Sequence, residues 1–141
     1  MAEPIPAEFW DAIAQFNQEQ FYACHDTLEA LWIESPEPSR KFYQGILQIA
    51  VACYHLSNGN LNGAIILLGE GVGRLNSYQP AYSEIQVSHL MADSVNLLQA
   101  LQEISMRLPI TDSKISPSTA SWANLSDLRS QVPKIERISS L

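Results

Sequence analysis

Residues 39–57, SRKFYQGILQIAVACYHLS, decide the fold. At about 100° per residue, Phe42, Tyr43, Ile46, Leu47, Ile49, Ala50, Val51, Cys53 and Tyr54 put apolar groups on nearly every side of one helix. A helix without a polar face belongs in the middle of a domain. Everything before and after this segment reads as layers built around it.

Upstream, Ser35-Pro36-Glu37-Pro38 closes a preceding helix, because each proline disfavours helix in the residue before it. That helix is predicted over about Glu19–Glu34, with Phe21, Cys24, Leu28 and Leu31 recurring every three to four residues. A first helix is predicted over about Pro6–Gln15, with Phe9, Trp10, Ile13 and Phe16 at core spacing, Pro6 in its first turn and Asn17 as the break. Downstream, Asn58-Gly59 supplies left-handed cap residues and Asn60 caps a fourth helix over about Leu61–Asn76. Gly63, Gly69, Gly71 and Gly73 each cost that helix about 1 kcal/mol relative to alanine, and close approach to the central helix is the simplest compensation. Tyr78–Tyr82 is a connection, and Val87, Leu90, Met91, Leu97, Leu98, Leu101 and Ile104 predict a fifth helix over about Gln86–Met106.

Beyond Pro109 the periodicity fails. Residues 110–141 are rich in Ser and Thr and carry Pro117 and Pro133. Trp122, Leu125 and Leu128 offer apolar groups to dock this extension, with a short helix near Asn124–Ser130. The reading is an all-α, single-domain bundle of about five helices over residues 1–108, with an irregular C-terminal extension over 109–141 docked on the body. Asn17-x5-Ala23-x5-Glu29 is echoed by Asn58-x5-Ala64-x5-Glu70, once in each of two helical hairpins. The expected architecture is therefore stacked antiparallel helical hairpins, tetratricopeptide-like.

At 141 residues and 46% hydrophobic content the chain has material for one core. Its longest apolar run, Ile49–Tyr54, falls far short of the roughly 18–20 residues of a membrane span. The N-terminus has neither the basic flank nor the apolar stretch of a secretory signal. Cys24 and Cys53 lie in apolar helical segments rather than in a CxxC framework, so both read as buried thiols of a reducing compartment and the expected location is cytoplasmic. The net charge is −7, and residues 1–39 hold eight acidic groups and no Lys or Arg. An acidic surface repels phosphate, which argues against nucleic acid as the partner.

A few polar residues exceed what a structural bundle needs. His25, Glu29 and Trp32 share one stripe of the second helix, spaced i, i+4, i+7; Gln44, Gln48 and His55 share one stripe of the third, spaced i, i+4, i+11. Facing each other, the stripes would form an internal polar cluster with Trp32 at its edge. Three chemistries fit. The groups can satisfy one another as a hydrogen-bond network. His25, Glu29 and His55 suit a divalent metal such as Zn, Fe or Mn, or the cluster can line a small-molecule pocket. A His–Glu pair can also serve acid–base catalysis. No nucleophile motif, phosphate loop or HExxH accompanies it, so no catalytic residue is assigned. Asp26 falls about 100° from the stripe and reads as solvent-facing, and His89 reads as a surface or capping residue.

Phe16-Asn17-x3-Phe21-x3-His25-Asp26-x-Leu28-Glu29-x2-Trp32 resembles the signature of the domain-of-unknown-function family numbered 309. Phe42-Tyr43-Gln44-Gly45-x2-Gln48-x-Ala50 followed by His55, then Gly59-Asn60-x2-Gly63-Ala64 and Tyr78-x-Pro80, resemble it too, so the similarity spans roughly residues 8–105. The resemblance implies a compact helical domain with no established activity, with His25, Glu29, Trp32, Gln44 and His55 at motif positions. Where the family often carries an acid two residues before the histidine, this chain has Ala23. The functional expectation is a non-catalytic binding or protein-interaction module with a protein partner. The alternative is a metal-dependent or His–Glu hydrolase-type enzyme using His25, Glu29 and His55.

Overall fold

The structure is a computed structural model that describes residues 4–107 and 130–138. Five helices follow in order: α1 Ala7–Asn17, α2 Phe21–Glu34, α3 Ser39–Ser57, α4 Leu61–Leu75 and α5 Val87–Arg107. The all-α class read from the sequence is the class observed. Consecutive helices make the extensive contacts, α1 on α2, α2 on α3, α3 on α4 and α4 on α5. The α2 and α3 helices run antiparallel: Tyr22 at the start of α2 lies 5.5 Å from Tyr54 near the end of α3, and Trp32 near the end of α2 lies under Arg40 at the start of α3, 4.8 Å from ring centroid to guanidinium carbon.

Local chemistry sets the helix ends. Pro6 stands just outside α1 in an extended conformation rather than in its first turn, and its carbonyl accepts from the Phe9 amide at 3.1 Å. Glu19 adopts a left-handed φ of 61°, so α2 starts two residues later than the periodicity suggests. Gly59, at φ 78°, and Asn60, whose side chain accepts from the Gly63 amide at 3.0 Å, terminate α3 and open α4 as the sequence indicates.

The α3 helix carries the core. Phe42, Ile46, Ile49 and Leu56 are fully buried, and Phe9, Phe16, Leu28, Leu68 and Leu90 close over them from the other four helices. Between α3 and α4 the backbones approach closely at one place. A Cβ on Gly71 would sit 2.9 Å from the Gly45 carbonyl oxygen and 2.7 Å from Ile49 Cγ1. A Cβ on Gly45 would sit 2.8 Å from Leu75 Cδ2. Of the four α4 glycines only Gly71 serves this approach. Gly63 meets the capping side chain of Asn60, and nothing lies within 4 Å of a Cβ on Gly69 or Gly73.

Between α4 and α5 the chain forms a small hairpin where the sequence suggested only a connection. Strand β1 (Ala81–Tyr82) pairs antiparallel with β2 (Ile85–Gln86). Ser83 and Glu84 take positive φ of 48° and 62°, the two-residue turn whose twist matches the strands. Gln86, expected to begin α5, is thus the last strand residue. Tyr78 and Tyr82 pack on Phe42 at 5.3 and 4.7 Å, and the Tyr78 hydroxyl donates to the Pro38 carbonyl at 2.6 Å.

Residues 130–138 lie across α1 and this hairpin. The Gln86 amide donates to the Glu136 carbonyl at 2.9 Å, and the Ile138 amide to the Glu84 carbonyl at 2.8 Å. The Asn17 side-chain amide exchanges two hydrogen bonds with the Ile135 backbone, at 2.9 and 2.8 Å. Arg137 stacks over Trp10 at 4.1 Å and pairs with Glu84 at 2.8 Å, while His89 pairs with Glu136 at 2.8 Å. Trp122, Leu125 and Leu128, and the short helix expected near them, lie outside the described residues. No helix among the described residues is long and apolar enough to cross a membrane.

Two outcomes follow for stability. Gly69→Ala should stabilise the protein by up to about 1 kcal/mol, because it gains helix propensity in open space. Gly71→Ala should destabilise it by about 1–3 kcal/mol through overpacking against the α3 backbone; chemical denaturation of the two variants reads both signs. Burial pushes the thiols of Cys24 and Cys53 from 9.0 up to about 12. Their contribution is whole below about pH 9 and is lost from there to about pH 12, since the unfolded chain releases protons that the native chain keeps. A Cys24→Ala/Cys53→Ala variant should therefore show a flatter fall of stability with pH across that window.

Candidate functional site

Five of the six residues singled out from the sequence meet in one pocket. His25, Glu29 and Trp32 come from α2, Gln44 and Gln48 from α3, and Leu47, Val51 and Leu67 complete a cavity of about 270 Å³. The spacing explains the assembly. One stripe of α2 forms a wall, Gln44-Leu47-Gln48-Val51 at i, i+3, i+4, i+7 of α3 forms the floor, and α4 contributes the opposite wall.

The cluster is a surface pocket rather than the internal network expected. The side chains of His25 and Glu29 are 32% and 47% exposed. The cause is the arrangement of three consecutive helices, in which α2 and α4 flank α3 and leave its Gln44–Val51 strip uncovered. Gln48 is the exception, being 8% exposed. Its amide is held at both ends by α4: Nε2 donates to Glu70 Oε2 at 3.1 Å, and Oε1 accepts from Arg74 Nε at 2.9 Å.

Around His25 the geometry is specific. Nδ1 lies 3.2 Å from Asp26 Oδ1, and Nε2 lies 3.6 Å from Glu29 Oε2. Asp26 is exposed, as the sequence suggested, yet its carboxylate turns back to the ring. These three residues hold ligand atoms within 4.8 Å of one another.

His55 is not in that group. It lines a neighbouring pocket of about 160 Å³ with Tyr22, His25, Val51 and Tyr54, and its Nδ1 lies 3.3 Å from Asn60 Nδ2. The third helix turns it away: His55 is two turns beyond Gln48, where α3 runs past the start of α2 rather than past Glu29. The trio His25, Glu29 and His55 named from the sequence is thus split, with Asp26 in the third place.

Glu70, Arg74 and Arg40 were not singled out from the sequence as site residues. The signals for them were present. Glu70 is the repeat partner of Glu29, Arg74 follows it by four residues, and Arg40 precedes Gln44 by four. Tyr78 and Tyr82 pack on the core through Phe42 and form no part of this pocket.

Gln48→Ala should cost about 1–2 kcal/mol, because it removes two hydrogen bonds to charged groups and a buried side chain between α3 and α4. His25→Ala should cost less than about 1 kcal/mol, because its contacts with Asp26 and Glu29 are partly exposed to solvent. Urea unfolding of both variants checks the contrast.

Residues 9–67 match the family described as "Domain of unknown function (DUF309)". That stretch contains all six candidate residues and stops short of Glu70 and Arg74. The chain is also 29% identical over 120 residues to the uncharacterized protein YpuF of Bacillus subtilis (strain 168), an alignment covering 78% of this chain and 68% of that protein. No solved structure matches.

Proposed function

We propose that this DUF309-like chain is a non-catalytic protein-interaction module whose ligand site is the groove that α2 and α4 leave open over α3. The observation supporting this is the apolar lining. Leu47 and Val51 on the floor and Leu67 on the α4 wall are only partly buried, and His25 and Glu29 edge the concavity on the α2 side. A recess with apolar walls and a few polar groups at its rim is the usual form of a recognition site. At about 270 Å³ it is smaller than most small-molecule pockets and suits a single apolar side chain from a partner segment. The exposed rings of Tyr22 and Tyr54 continue the rim along α3.

Stacked hairpins of the tetratricopeptide kind hold peptides in such grooves, an analogy of fold that fits the consecutive antiparallel packing of α2 and α3. In this reading residues 1–108 are the binding body and 109–141 an extension, of which residues 130–138 lie against α1 and the hairpin. Two free buried thiols suit work in the reducing cytoplasm.

A photo-crosslinking residue at position 47 should give a discrete adduct with a partner protein. Val51→Asp should remove the adduct while leaving the helical circular dichroism intact, and the purified partner should then bind the unmodified chain one-to-one. Adducts at position 47 no different from those at Gly69, on the outer face of α4, would sink the reading.

A further inference from the structure

We propose that His25 and Glu29 bind a divalent first-row transition metal of the zinc or manganese class, with Asp26 as the carboxylate that orients the imidazole. Nε2 of His25 and Oε2 of Glu29 are 3.6 Å apart, on side chains one turn apart on the same helix. Two donors bound to one such ion at about 2.0–2.2 Å lie about 3.0–3.4 Å from each other, so a few tenths of an ångström of side-chain rotation closes the bite.

The second ring nitrogen completes the argument. Nδ1 faces Asp26 Oδ1 at 3.2 Å, and an N–H donated there leaves the lone pair on Nε2, the nitrogen beside Glu29. A carboxylate–histidine–metal relay of this form fixes the tautomer and makes the ring a better donor. The group is therefore more than three neighbouring acids and bases: one atom pair bites and the third group aims it. His55, the third ligand expected from the sequence, is not among the groups whose ligand atoms converge: it shares the adjoining pocket with His25, and its Nδ1 lies by Asn60.

Room and charge agree with the assignment. The pair borders the cavity of about 270 Å³, with space for water or an oxygen donor from a bound ligand to fill the remaining coordination positions. Gln48 is committed to Glu70 and Arg74, while Gln44, one turn earlier on the same floor, lines the same cavity as the pair. Imidazole with carboxylate is a donor set for zinc, manganese or ferrous iron rather than for calcium.

The site does not depend on what occupies the rest of the groove, and its test uses different residues. Full-length, tag-free protein stripped with chelator is titrated with ZnCl2 by calorimetry and with CoCl2 by visible absorption. One equivalent of each should bind. His25→Ala and Glu29→Gln should each weaken binding at least a hundredfold, and Asp26→Asn by about 10–100-fold. His55→Ala and His89→Ala should leave it unchanged, all variants being checked for native circular dichroism. Absence of saturable binding at millimolar metal overturns the proposal, as does binding that survives His25→Ala and Glu29→Gln or disappears in His55→Ala or His89→Ala.

Discussion

The contact on which the site depends is the one between the α3 and α4 backbones at Gly45 and Gly71. With no Cβ on Gly71, the Gly45 carbonyl and Ile49 come within about 3 Å of where one would stand. Side chains elsewhere along the two helices then meet at hydrogen-bond range, and the Gln48 amide reaches both Glu70 and Arg74. A wider crossing would leave Gln48 buried with unpaired ends, at a desolvation cost of about 1–3 kcal/mol. The approach also fixes the width of the groove, because α4 brings Leu67 to its wall.

The groove combines a rigid floor with less constrained walls. The floor belongs to a helix whose other sides are packed with fully buried groups, and one of its amides is pinned at both ends. The α2 wall is different: His25, Asp26 and Glu29 answer mainly to one another and to solvent. Trp32 is steadied by Arg40, which lies over its ring. A ligand would thus meet fixed apolar contacts below and adjustable polar ones at one side.

Much of this was legible in the sequence, for identifiable reasons. The apolar girdle of residues 39–57 and the Asn-Gly and Pro-x-Pro punctuation gave the helices, because helix periodicity and cap chemistry are local. Five of the six residues on the stripes of α2 and α3 fall in the pocket because antiparallel neighbours bring like stripes together. What escaped was set by tertiary context. Ser83-Glu84 lacks the Asn-Gly signal of a tight hairpin, and its positive φ values are held by partners distant in sequence. Which glycine marks a crossing depends on what lies across from it, so Gly71 could not be told from Gly69 or Gly73 by propensity. The place of His55 depended on where α3 outruns α2.

The lacing of residues 134–138 onto Asn17 and the hairpin has a consequence for how the molecule assembles. Asn17 and Ile135 are 118 positions apart, whereas the helix pairs form between chain neighbours. Such non-local contacts form late, because their docking surface exists only once α1 and the hairpin are in place. The chain can therefore build its helical layers by local, rapid steps and join its two ends last. Residues 134–138 share no lining residue with the groove, so the seam and the groove are built from separate sets of side chains.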